Sequence, residues 1–143
     1  MAKVDFKLPE EFLQRVSKLA EKTDEILPRV LEVGADVVYR KVKSNLSAVI
    51  GKNTKYKSRS TGELEAALGA SPAKQDKDGN FNVKIGFSEP RTNGSNNAMI
   101  ANIIEYGKSG QPPKPFLKPA KSQSKKDCIE AMKKRLESEM ESL

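Results

Sequence analysis

The chain has 143 residues, 36% hydrophobic and 31% charged, with 26 basic against 19 acidic residues, one cysteine and no histidine. Ordinary globular chains run at roughly 45–50% apolar and about 25% charged, so a thin core with long polar loops, leaning on contacts between subunits, is expected. A lone Cys128 excludes an intrachain disulfide framework and points to a reducing compartment. The missing histidine removes His-based general-base catalysis and most zinc sites.

No apolar run approaches the ~20 residues that span a bilayer, and the first residues, MAKVDFKLPEEF, lack the apolar stretch of a secretory signal. The length suits a single domain over 1–143, read as a helical region (9–50), a basic loop (51–62), a hairpin and loop region (63–120) and a C-terminal helix (119–143). The fold class expected is α+β: a long N-terminal helix pair, a small antiparallel sheet with a β-hairpin, a short helix and the C-terminal helix.

Pro9 suits a first helical position, and Glu10 and Glu11 favour the positive end of the macrodipole. Phe12, Val16, Leu19, Ala20, Thr23, Ile26 and Leu27 follow at helical spacing. Pro28 either kinks one long helix or begins a second, and a helix pair is the expectation adopted. The stripe resumes through Val30, Leu31, Gly34, Val37, Val38, Val42, Leu46, Val49 and Ile50. Gly34 and Ala35 would let another backbone approach closely.

Residues 51–62, GKNTKYKSRSTG, switch to a basic polar loop with Tyr56 as its aromatic. Ser60 and Glu63 fit a capping box for a turn or two over Gly62–Leu68. Asp76-Lys77-Asp78-Gly79-Asn80 is a hairpin turn signal. Phe81, Val83, Ile85 and Phe87 alternate with Asn82, Lys84 and Gly86, as a half-buried strand does. Two strands alone are marginal, so the hairpin must lie on the helices or extend a sheet in a neighbouring subunit.

After a polar loop at 88–97, a short helix is expected over Ala98–Tyr106. Met99, Ile103 and Tyr106 share one face, Ile100 and Ile104 lie beside it, and Gly107 sits at the cap. Pro119 suits the first position of the last helix, whose stripe is Ala120, Ser124, Cys128, Met132, Leu136, Met140 and Leu143. Lys118, Lys121, Lys125 and Lys126 crowd its start and Glu137, Glu139 and Glu141 its end, against the macrodipole. Either the basic end faces an anion or exposed charges are tolerated at tenths of a kcal/mol to about 1 kcal/mol each.

No catalytic, cofactor-binding or metal-ligating set is expected. Gly107-Lys108-Ser109 lacks the rest of a P-loop, and Asp76-Lys77-Asp78-Gly79 lacks the closing Glu of an EF-hand. Cys128 lies on an apolar stripe with no histidine to activate it. Glu105, at a helix end, either bonds loop donors or faces solvent. The stretch Ala98–Ala120 joins an apolar turn, a Gly/Ser loop, four prolines and a second apolar anchor. It reads as a shape to be presented rather than as acid, base or nucleophile chemistry.

Thr61-Gly62-Glu63-Leu64, Val83-Lys84-Ile85-Gly86, Ala101-Asn102-Ile103-Ile104-Glu105-Tyr106-Gly107 and Pro115-Phe116-Leu117-Lys118-Pro119-Ala120 follow one another in that order. Over roughly residues 40–125 this string resembles the gene-product-ten-like family of tailed double-stranded DNA bacteriophages and prophages, head–tail joining or tail-completion proteins. The chain departs from the family pattern in having no proline before Thr61 and a lysine, Lys108, where many relatives carry Thr.

The resemblance implies a non-enzymatic virion subunit of the neck or upper tail, assembled in the host cytoplasm. It implies a ring of like subunits, six by the tail's symmetry, between the head connector and the tail tube or tail terminator proteins. Genomic DNA would pass through the lumen, with no cofactor, membrane or small-molecule substrate involved. The subunit-interface candidates are then Glu105, Tyr106, Gly107, Pro113, Pro115 and Phe116, and Phe116 docks either on its own sheet or on the next subunit. The DNA-proximal candidates are Lys52, Lys55, Lys57, Arg59, Lys118 and Lys121. The alternative is a small basic nucleic-acid-binding module using Lys52–Arg59 and Lys118–Lys126.

Overall fold

Apolar side chains at four-residue steps carry the first helix straight through its proline. The computed structural model describes residues 10–50, 62–89 and 96–143, and of Phe12 the backbone alone. Helix α1 runs unbroken from Glu10 to Val49 with Pro28 inside it, so the expected helix pair is one 40-residue helix. Pro28 has no N–H to give the Asp24 carbonyl, a defect worth about 3 kcal/mol in a helix interior. Ile26 and Val30, both buried, flank it. Burying two such side chains contributes about 1.5–3 kcal/mol each, enough to hold the turn through the proline.

Ile26, Val30, Gly34, Val42 and Leu46 are all buried. Each four-residue step turns the stripe by about 40° around the axis. The early members therefore face the last helix, and the later ones also cover the central cluster of Leu64, Leu68, Ala101, Phe116 and Ala120.

Helix α2 (Glu63–Ala67) is the expected short turn, entered through Gly62 at a φ of +80°. Strands β1 (Leu68–Ala70), β2 (Lys74–Gln75), β3 (Phe81–Asn82) and β4 (Ile85–Phe87) follow. They form two antiparallel ladders, β1 with β4 and β2 with β3, stacked along one interrupted hairpin. Ala70 faces Ile85 and Lys74 faces Asn82. Three residues, Ser71 to Ala73, therefore oppose two, Val83 and Lys84, a one-residue bulge on the first arm.

Ser71 closes the gap. Its N–H donates to the Lys84 carbonyl at 2.8 Å, and its hydroxyl accepts from the Lys84 N–H at 2.9 Å. At the turn, Asp76 Oδ1 accepts from the N–H groups of Asp78 and Asn80, both at 2.9 Å, and Gly79 takes a φ of +84°. Phe81, Val83, Ile85 and Phe87 are half-buried and alternate with exposed residues, as the sequence pattern requires. The hairpin lies on its own helices: Ala73 N–H donates to Glu32 of α1 at 3.3 Å, and Ile85 and Phe87 pack on the core.

Helix α3 spans Asn97–Tyr106 and helix α4 spans Leu117–Glu141. The α1–α4 contact is antiparallel. Asn45 reaches Gln123 at 3.3 Å near one end, and Arg29 pairs with Glu139 at 3.0 Å near the other. At Gly34 what comes close is not another backbone but two side chains of α4. A Cβ on Gly34 would lie 2.7 Å from Met132 Sδ and 3.1 Å from Cys128 Sγ. Burial pushes the Cys128 thiol up, away from the reactive thiolate. Pro9, residues 51–61 with the Ser60 part of the capping box, and residues 90–95 lie outside the described residues.

Candidate functional site

Helix α3 and its connection to α4 form the most heavily bonded junction in the described chain. The α3 N-terminus is fixed by two side chains. Glu89 accepts from Asn97 N–H at 2.8 Å and Ala98 N–H at 2.6 Å, and Asn96 Oδ1 accepts from Met99 N–H at 3.0 Å. These answer donors that a helix start leaves open. Asn97 is itself buried, its amide donating to the Ser88 carbonyl at 2.8 Å.

At the other end Gly107 takes a φ of +77°, and a Cβ there would lie 2.8 Å from both the Gln111 carbonyl oxygen and the Pro113 nitrogen. Those are backbone atoms that cannot swing aside. Gly107→Ala is expected to lower the unfolding free energy by about 2 kcal/mol, read as a lower urea midpoint at constant m. An unchanged midpoint would mean that the loop is not held in this form.

The loop after Gly107 is strapped down. Lys108 and Gln111 exchange backbone hydrogen bonds at 3.0 and 2.9 Å. Gly107 N–H donates to the Ile103 carbonyl and Lys114 N–H to the Ile104 carbonyl, both at 2.7 Å. Carbonyls at the end of α3 thereby gain partners from the loop itself.

Glu105 is buried and reaches across to the start of α4. Its Oε2 accepts from Phe116 N–H at 2.7 Å and Leu117 N–H at 2.8 Å, and its Oε1 from Lys118 N–H at 3.0 Å. Pro119 has no N–H, so the first turn of α4 has no backbone donor left over. Of the two readings of Glu105, the bonded one holds. Burial by itself raises its pKa, but the three N–H donors and the Lys118 ammonium outweigh it, and the carboxyl sits below its ordinary value. The basic start of α4 thus faces an anion that the chain itself supplies.

Phe116 is fully buried. Its ring meets Phe87 of β4 edge-on at 6.3 Å and 73°, and its carbonyl accepts from Asn45 Nδ2 of α1 at 3.3 Å. It therefore docks on its own sheet and ties α1, α3, α4 and the hairpin together. Of the other interface candidates, Tyr106, Pro113 and Pro115 are exposed and Gly107 is half-buried. The face of Met99, Ile103 and Tyr106 points outward, with Met99 61% and Tyr106 62% exposed. The buried face of α3 is Asn97, Ala101 and Glu105, because its two polar members have bonds to make inside. Lys118 Nζ stands 5.6 Å from the Tyr106 ring centroid, in cation–π range.

Lys118 and Lys121 are exposed at the start of α4. Lys52, Lys55, Lys57 and Arg59 lie outside the described residues. Asn45, Glu89 and Asn97 were not singled out from sequence. Glu89, an acid shortly before an apolar run, carried the one local signal.

Among the described residues no group of His, Cys, Asp or Glu is placed to hold a metal ion, and no helix is long and apolar enough to cross a membrane. An open groove of about 420 Å³ lies between α1 and the hairpin, lined by Glu32, Asp36, Tyr39, Pro72 and Val83 among others. Its acids are occupied, Asp36 with Arg40 at 2.7 Å and Glu32 with the Ala73 N–H. No acid–base pair converges there.

Compared with curated proteins and with solved structures, the chain has no match. A family model described as a tail component of bacteriophage HK97-gp10 type matches residues 10–107. The match takes in α1, the hairpin, α3 and Gly107, and stops short of the Pro-Phe-Leu-Lys-Pro-Ala string. Covering well over half of the chain, it settles kinship: the protein belongs to the HK97-gp10-like family of bacteriophage tail components.

Proposed function

We propose that this structural component of the phage tail is a subunit of a closed ring, six-fold by the tail's symmetry. It would sit in the neck or upper tail and join the head connector to the tail tube or terminator. The observation that carries the reading is the α3–loop–α4 junction. It is braced from within by Glu105 and Phe116, while Tyr106, Pro113 and Pro115 face outward on a frame that cannot easily deform. A rigid presented edge without convergent chemistry suits assembly rather than catalysis, and repeated heterologous contacts that close give rings. In this reading the genome passes through the lumen, and Lys118 and Lys121 lie near its rim.

Native mass spectrometry over a concentration series at two ionic strengths tests this. A closed oligomer, six subunits above all, is the expected result. A strict monomer at every concentration overturns the self-assembling ring. Steeply salt-dependent binding of duplex DNA by that monomer would turn the assignment to the nucleic-acid module.

A further inference from the structure

Helix α1 extends beyond every described element that packs on it. Arg29 is level with Glu139, and α4 ends at Glu141. Ile26 is the first buried residue of α1, and from Glu10 to Lys18 every described side chain is exposed. This overhang carries an apolar stripe at helical spacing, Leu13 (48% exposed), Val16 (47%) and the exposed Ala20. It is net acidic: Glu10, Glu11, Glu21, Asp24 and Glu25 against Arg15, Lys18 and Lys22. Among the described residues the Leu13, Val16 and Ala20 stripe stays open to solvent.

A second open stripe lies on α3, where exposed Met99 and Tyr106 flank the half-buried Ile103. Around its Tyr106 end the surroundings are basic, while Glu89 stands at its Asn97 end. Lys108, Lys118 and Lys121 are exposed, and the one acid of α3, Glu105, is buried. Both stripes span seven residue steps, about 10 Å of helix.

The two surfaces sit at opposite ends of the α1–α4 pair. Asn45 of α1 touches Phe116 at the α3 end, and Val16 lies some eight helical turns away, on the order of 40 Å. They cannot meet within one chain. We infer that the overhang of one copy, Leu13, Val16 and Ala20, docks on the Met99–Tyr106 face of the next copy, a head-to-tail contact between unlike surfaces. Matching apolar length holds it, and opposite charge sets its direction. Such a contact leaves one of each surface open at the ends of any short chain of copies, so it grows until it closes.

The inference rests on the ring reading and names its interface. Val16→Asp and Met99→Asp, both at exposed positions, are made in the full chain, with circular dichroism confirming retained helix. Each variant alone is expected to self-associate at least about tenfold more weakly than the parent. An equimolar mixture is expected to form heterodimers and nothing larger, because it holds one intact overhang and one intact face. Higher ionic strength should weaken that heterodimer.

Self-dimers of Met99→Asp alone would show an overhang-to-overhang contact and overturn the inference. Parent-like oligomers from both variants would also overturn it while leaving the ring standing on other surfaces. A parent chain that never associates removes both.

Discussion

Phe116→Ala is expected to lower the unfolding free energy by about 4 kcal/mol, the largest effect of any single truncation in this chain. Removing a fully buried phenyl ring from a core typically costs about 3–5 kcal/mol. Three features place Phe116 in the upper part of that range. Its ring has no exposed edge, and its edge-on contact with Phe87 disappears with it. The cluster around it draws on α1, α2, the hairpin, α3 and α4, so no single element can move in to fill the space. Phe116→Leu keeps most of the volume and should cost about 1–1.5 kcal/mol. Urea unfolding followed by circular dichroism reads both. Should the alanine variant lose under about 1 kcal/mol, the ring is not the keystone of this core.

The second large effect belongs to Glu105. Glu105→Ala leaves three backbone donors at the start of α4 without their acceptor, and a loss of about 3 kcal/mol follows from the cost of stranded donors and of a lost charge-assisted cap. Its pH dependence has a definite sign. The folded carboxyl has a pKa below its unfolded value, so the folded state favours the ionised form. That stabilisation is complete above the ordinary carboxylate value of about 4.3. It is lost as pH falls from there through the depressed folded value. Glu105→Gln has no such titration. The parent should exceed Glu105→Gln in stability at pH 7, and the gap should narrow in acid. A gap of equal size at both ends would show that the charge is not what caps α4.

Patterns with a short period were legible without coordinates. The alternation from Phe81 to Phe87 appears residue for residue as half-buried and exposed positions. The Asp-Gly turn and the Gly107 cap fall where their backbone needs place them. The stripe along α1 was equally clear, but whether Pro28 divides it depends on what packs either side, and Ile26 and Val30 decide that only in three dimensions. Glu105 shows why the site was half-hidden. Its partners lie 11, 12 and 13 residues on, across a loop whose path no helical or strand period encodes. The outward turn of Met99 and Tyr106 follows from the same fact, since rotating Glu105 inward carries those two away from the core while Ala101, Ile100 and Ile104 stay on it. The α1 overhang required knowing where α4 stops against it.

The antiparallel packing of α1 on α4 also fixes an order of events during synthesis. Arg29 and Glu139, which meet across that contact, are 110 residues apart in the chain. At roughly 5–20 residues per second, α1 leaves the ribosome on the order of ten seconds before the helix that covers it. Through that interval Ile26, Val30 and the Gly34 notch are open to water and to other newly made chains. An amphipathic helix of this length waiting for a late partner suits a chaperone's groove. Depleting the host's nascent-chain chaperones should therefore lower the soluble yield of the protein.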